Sequence, residues 1–296
     1  MTGSMFALLS ALCFALTTVF TRRAVLKVSD ASLGTLISVP MAVPFFVLIL
    51  VFSGQLQSVL SFPWQSYVWL SAAGILHFVV GRSLFYKCVQ LVGGNIAGIL
   101  RRVNILVAVV IGISCLHEPL TWRLAIGVLL ITIGITLTGL NPRLLQLSGG
   151  RFSKIPAKAF VFGFGCGVAW GVSPIFVSLG VKGSGAPVAG ALISFLAATA
   201  VLSISLLNHR RRTSMADITG KAAGLFFIVG FIGFLANLAR YVALSLAPAS
   251  IVAPLVTTAP VLLLVFSFVF NRKLEIFSKP IIIGTITVVI GSILLV

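Results

Sequence analysis

The sequence predicts an all-α integral membrane protein of ten transmembrane helices, arranged as two inverted five-helix repeats. Three observations carry that prediction. Of the 296 residues, 59% are hydrophobic and 8% charged, with a mean hydropathy of +1.20, too little charge to cover a soluble surface. Apolar runs of about 20 residues, the length that crosses a hydrocarbon core of about 30 Å, recur from end to end. The chain also matches itself at an offset of about 156 residues.

The first span, 4–21, lacks a basic start and a small-x-small cleavage site, so it reads as a true helix and not as a secretion signal. Further spans fall at 32–53, 66–88, 94–115 and 121–140, then at 157–179, 186–207, 221–245, 249–270 and 276–296. The first repeat covers 1–140, a basic, Gly-containing linker 141–156, and the second repeat 157–296. "FALTTVFTRRAV" (14–25) aligns with "WGVSPIFVSLGV" (170–181), and Tyr86 with Tyr241. Glu118, Gly127 and Gly134 then align with Glu275, Gly284 and Gly291. An odd number of helices per copy makes the second copy enter the membrane from the opposite side, which places a site between the halves near the midplane.

The net charge of +17 resembles that of a nucleic-acid binder, but the bases are dispersed through loops and record topology instead. Loops after helices one, five, seven and nine carry fourteen bases, from Arg22 to Lys279; the opposite side carries Arg123 and Lys182. The positive-inside rule taken alone puts both termini outside; the opposite orientation, both termini in the cytoplasm, stays open. The cysteines (Cys13, Cys88, Cys115 and Cys166) have no paired spacing and read as packing residues, not as disulfides or zinc ligands.

Five bases remain inside the spans: Arg82, Lys87, Arg101, Arg102 and Arg240. Helices three and four form a hairpin turning near Leu91–Gly94, so Arg82 and Arg101 both lie about 10 Å inside the helix ends. His77 lies deeper, and Tyr86 stands one turn from Arg82. An arginine at a helix centre costs about 2.5–3.5 kcal/mol on insertion scales and normally faces a cavity. The acids are Asp30, Glu118, Asp217 and Glu275, all in loops or at helix ends, so the counter-charge of the layer is expected on a bound ligand. The candidate binding residues are Arg101, Arg102, Arg82, Asn104, Tyr86, His77 and Arg240, with Asn237, Thr257 and Tyr241 opposing them. Arg102 shares a helix face with Asn95 and Gly98, has Thr257 as its repeat partner, and is the favoured direct ligand. Lys87 is expected to snorkel, and Glu118 and Glu275 read as structural. A forked guanidinium suits carboxylate, phosphate or sulfonate. No metal-ligand cluster, paired acids or nucleophile–base set is present, so no enzyme, metal or cofactor is expected.

On "AWGVSPIFVSLG" (169–180), "ARYVALSLAPASIVAPLVTTAPVLLLVFSFVFNRKLE" (239–275) and "HEPLTWRLAIGVLLITIGITL" (117–137), the chain resembles the EamA-like ten-helix branch of the drug/metabolite transporter superfamily. The first half departs by carrying Arg101, Arg102 and Asn104 near Ile105, the position matched to Pro260. The resemblance implies a central cavity lined by helices three, four, eight and nine, with parts of one and six, worked by alternating access. It also implies that helices five and ten pack the halves together. The glycines seven apart in each suit that role, because they permit close backbone approach. Helix one, "SMFALLSALCFALTTVF", lacks the glutamate that small multidrug exporters of the superfamily carry, which disfavours cation/proton antiport. The expectation is a secondary transporter of a small organic anion in the inner membrane of a bacterial or archaeal cell, acting as a monomer on a small-molecule substrate. The alternatives are an exporter of amino acids or other zwitterions and, ranked lower, a lipid-phosphate flippase.

Overall fold

In a bilayer every backbone N–H and C=O must be paired within its own segment, so apolar runs of this length become helices. The computed structural model describes residues 2–116, 122–139, 156–181, 186–216, 218–246, 255–256 and 258–294, and no strand occurs among them. The first half contains α1 (Thr2–Val25), α2 (Ala31–Phe52), α3 (Trp64–Leu100), α4 (Val103–Leu116) and α5 (Trp122–Gly139). The second contains α6 (Ala157–Val181), α7 (Pro187–Ser205), a short surface helix (His209–Ala216), α8 (Gly220–Leu246), α9 (Ala259–Phe270) and α10 (Lys279–Leu294).

Six described stretches are long and apolar enough to cross a membrane, lying in α1, α2, α3, α6, α7 and α8. The expected ten spans are therefore not reproduced among the described residues. The fourth and ninth expected spans are interrupted by turns at Arg101–Arg102 and at Thr258, which shorten the helices that follow.

As a straight rod the 37 residues of α3 would extend about 55 Å, far beyond the core thickness. The rod folds back instead at Gly93, whose φ of 85° is open to glycine and strained for other residues. The Arg101 guanidinium accordingly lies 5.6 Å from the Phe85 ring, where a straight helix would hold the two about 24 Å apart. The turn falls within the expected hairpin segment.

Packing repeats between the halves. α1 lies along α8, and α6 lies along the outgoing arm of α3. α6 meets the Leu100–Val107 segment through glycines four residues apart. A Cβ on Gly163 would lie 2.7 Å from Leu100 Cβ, on Gly167 3.1 Å from Arg101 O, and on Gly171 2.7 Å from Asn104 O. In the first half the equivalent stripe is Ala7, Ala11 and Ala15, all buried, with Ala7 in one cluster with Ala243, Leu255 and Val256, and Ala15 in another with Val19 and Leu263. Small residues at this spacing let helix backbones approach where no hydrophobic drive exists. α5 and α10 close the two halves: a Cβ on Gly134 would lie 2.6 Å from Gly284 O, and one on Gly291 2.8 Å from Gly127 O.

Candidate functional site

The outgoing arm of α3 widens into a π-helical stretch over Ile75–Gly81. Such widening frees carbonyls for other partners and recurs at functional sites. Here the His77 carbonyl accepts from the Arg82 backbone N–H and also from Trp170 Nε1 of α6, at 2.9 Å. The His77 ring stacks on Trp170 with centroids 5.2 Å apart, and its Nδ1 lies 2.8 Å from Ser173 Oγ, also on α6. A residue of the first repeat is thus fixed by two of the second.

The guanidinium groups lean on rings. Arg82 lies 5.0 Å from the Phe78 centroid, and Arg101 lies 5.1 Å from that of Trp170 and 5.6 Å from that of Phe85. A cation over a ring gains about 0.5–2 kcal/mol, yet the charge stays whole. The tip of Arg82 reaches the second repeat: Arg82 Nη2 and Thr17 Cγ2 flank the Cβ position of Gly233, each at 4.0 Å. Arg102 is 5% exposed and Arg82 9%. Phe78 and Trp170, the rings under the Arg82 and Arg101 guanidinium groups, both flank the His77 ring, with centroids 4.7 Å and 5.2 Å from it. Arg82 and Arg101 of the expected layer thus stand on the two rings that hold His77, with α6 reached through Trp170 and α8 through Gly233.

Arg101 and Arg102 do not continue a helix. They form a turn in which Arg102 N donates to Ile99 O (2.9 Å) and Ile105 N to Arg102 O (3.0 Å). The second half repeats the pattern: Thr258 N donates to Leu255 O (3.3 Å) and Val261 N to Thr258 O (2.9 Å). The same hydrogen-bond pattern thus occurs at Arg102 in the first half and at Thr258 in the second. Pro260, which lacks an N–H, accounts for the second break. The first has no proline, and the glycine face of α6 lies against its backbone instead.

The other candidates divide. Asn104 Oδ1 is buried without a hydrogen-bond partner, as is Arg101 Nε. Asn237 lies one turn beyond Gly233, and its Nδ2 donates to Gly233 O at 2.8 Å. Tyr86 turns away: its hydroxyl pairs with Ser38 Oγ at 2.9 Å, and its ring stacks on Phe226. Thr257 and the Tyr241 side chain lie outside the described residues, as does Glu118. Lys87 sits 5.8 Å from the Phe162 centroid. The acids among the described residues are engaged elsewhere. Asp30 caps a turn through Ser32, and Glu275 holds the amides of Gly94 and Asn95. Among the described residues no three metal-ligating side chains converge.

Sequence reasoning missed Trp170, Phe78 and Phe85 as parts of this cluster. The spacing of Phe78 four residues before Arg82 and Phe85 three after puts all three on one helix face, a signal that was readable. Trp170 gave none, since its role depends on α6 meeting α3.

Among the solved structures that match, a crystal structure shares the fold over 99% of this chain and 95% of that chain, with a TM-score of 0.56 and 17% sequence identity. No curated protein matches. The sequence profile of the EamA-like transporter family matches twice, over residues 1–140 and 157–296. Two matches to one family, end to end on halves whose helices pack in the same way, make this chain a member of the EamA-like transporter family.

Proposed function

We propose that this transporter is a carrier for a small organic anion, whose anionic group binds at Arg82, Arg101 and Arg102 while the two repeats alternate access to it. The repeats in this reading are 1–140 and 157–296, joined by 141–156. The observation that carries it is the surroundings of the arginines: Arg82 and Arg101 are met by aromatic rings, while the described carboxylates are spent on backbone amides elsewhere. Clustered like charges in a low-dielectric interior repel one another, and an anion accepting forked hydrogen bonds relieves that repulsion. Asn104 Oδ1 supplies an acceptor beside the charges for a hydroxyl or amine on the same substrate.

The test is a thermal-shift screen of the purified protein against carboxylates, organophosphates, sulfonates and amino acids, followed by uptake in proteoliposomes. Arg82→Gln and Arg101→Gln should each weaken binding of the stabilising anion at least tenfold, as loss of a charged hydrogen bond of about 1.5–3 kcal/mol requires. Arg102→Gln should abolish uptake with folding retained. Unchanged binding by all three variants, or equal binding of the esterified ligand, refutes the proposal.

A further inference from the structure

At the basic face of the molecule three chain turns are tied together. Arg22, at the end of α1, donates through Nη1 to Val89 O (2.7 Å) and Gln90 O (2.9 Å) of the first-repeat turn. Through Nε (3.2 Å) and Nη2 (3.1 Å) the same guanidinium donates to Leu274 O in the second-repeat turn between α9 and α10. Glu275, beside it, accepts from Gly94 N at 2.6 Å and Asn95 N at 3.2 Å, and its carboxylate lies 3.8 Å from Arg22 Nε. Asn271 adds a cross-tie, donating to Val19 O at 2.8 Å and accepting from Arg23 Nε at 2.7 Å. Gln90 Nε2 donates to Val25 O and Val28 O. The Glu275 carboxylate, from the second repeat, holds the first directly at Gly94 and Asn95, where α3 sets out again after its turn at Gly93.

Immediately behind this tie lie polar atoms with nothing to bind. Both amide atoms of Asn95 and the Ser267 hydroxyl are buried without a hydrogen-bond partner, at 3% and 0% residue exposure. They are neighbours in level. Gly94 lies against Thr18, and Asn271 donates to Val19, whereas deeper in, Gly98 lies against Leu263, which shares a cluster with Ala15. Asn95 and Ser267 fall between those two levels, on facing helices of different repeats. Burying unpaired polar atoms is unfavourable, and native folds avoid it unless another state or a ligand satisfies them. The residues flanking a route that opens and shuts meet that condition, because water or passing substrate pairs them in the open state.

We infer that Glu275 is the latch of a gate at the basic face: this structure is the state shut there, and release of the Gly94 and Asn95 amides from Glu275 opens a route lined by Asn95 and Ser267. Arg22 is the second part of the latch, since it holds both turns by their carbonyls. The inference rests on the transport reading but not on the identity of the cargo.

The experiment is thiol accessibility in proteoliposomes, with the parent chain as the blank for its own cysteines. A membrane-impermeant thiol reagent is applied from the basic face to Ser267→Cys, alone and combined with Glu275→Gln. Labelling should be slow in the single variant and at least tenfold faster with Glu275→Gln; Arg22→Gln, as the second latch variant, should act in the same direction. Ser173→Cys lies sixteen residues into α6, about 24 Å from its basic-face end. Its labelling from the opposite face should fall in the Glu275→Gln background, because alternating access couples the two openings with opposite sign. An unchanged Ser267→Cys rate in both latch variants overturns the gate, and so does acceleration at both faces, the signature of general loosening. No substrate is added. Failure of the anion proposal therefore leaves this result standing, and failure of the latch leaves anion binding by Arg82 and Arg101 untouched.

Discussion

Replacing Gly171 by Ala puts a methyl group where α6 lies against the broken helix that carries Arg101 and Arg102. The new Cβ would lie 2.7 Å from Asn104 O, 2.8 Å from Val107 Cβ and 2.9 Å from Val107 Cγ1. Restoring ordinary carbon contact at about 3.5 Å moves α6 away by about 0.7 Å. Two of these neighbours are backbone or Cβ atoms, which cannot swing aside. Overpacking of this kind costs about 1–3 kcal/mol. Gly233 is the matched control, for its Cβ position has no neighbour nearer than 4.0 Å. Both substitutions gain the same helix-interior preference for Ala, about 0.5–1 kcal/mol, so the difference between them isolates the contact. Denaturant unfolding in detergent, followed by far-ultraviolet circular dichroism, measures that difference. Gly171→Ala should be the less stable by about 1–3 kcal/mol, roughly 5- to 150-fold in the folded-to-unfolded ratio. A difference under about 0.5 kcal/mol would refute the claim that α6 packs on this break by backbone contact.

Three further outcomes are expected. Trp170→Phe keeps a ring beside Arg101 but removes the donor to His77 O, and should cost about 0.5–1.5 kcal/mol in the same unfolding assay. Glu275→Ala strands the amides of Gly94 and Asn95, and hydrogen exchange at those two positions should accelerate by about tenfold or more, since each lost partner costs about 1–3 kcal/mol. Burial raises the Glu275 carboxyl above its ordinary value, against the Gly94 amide, Arg22 and the Asn95 amide, which lower it. A folded value above the unfolded one favours the fold at low pH and loses that contribution as pH rises through the folded value. The melting temperature of the parent relative to Glu275→Gln should therefore fall as pH rises above 4.5, and a flat difference would contradict that sign.

Three properties are readable from the amino-acid order: the chain is a membrane protein, it is duplicated, and arginines stand where apolar residues belong. Each of these is a property of local composition or of self-similarity, and neither needs knowledge of what packs where. The hairpin near Gly93 was legible for the same reason, since a Gly-Gly pair interrupts an apolar run longer than a bilayer. The glycines of α5 and α10 were legible through their spacing. Tertiary structure alone decided the rest. Hydropathy cannot distinguish a continuous helix from one broken at Arg101–Arg102, because the break is backed by α6 glycines more than 60 residues away in the chain (100 to 163, 104 to 171). Only the backbone hydrogen bonds show that the chain turns at Thr258 in the second half as it does at Arg102 in the first. Tyr86 looked like a site residue by its distance from Arg82, yet its hydroxyl is held by Ser38. Glu275 read as structural, but its partners, 181 and 180 residues earlier at Gly94 and Asn95, had no trace in the sequence. Local free energies fix which segments enter the membrane; which charges meet there depends on how distant segments pack, and that is written only in the folded chain.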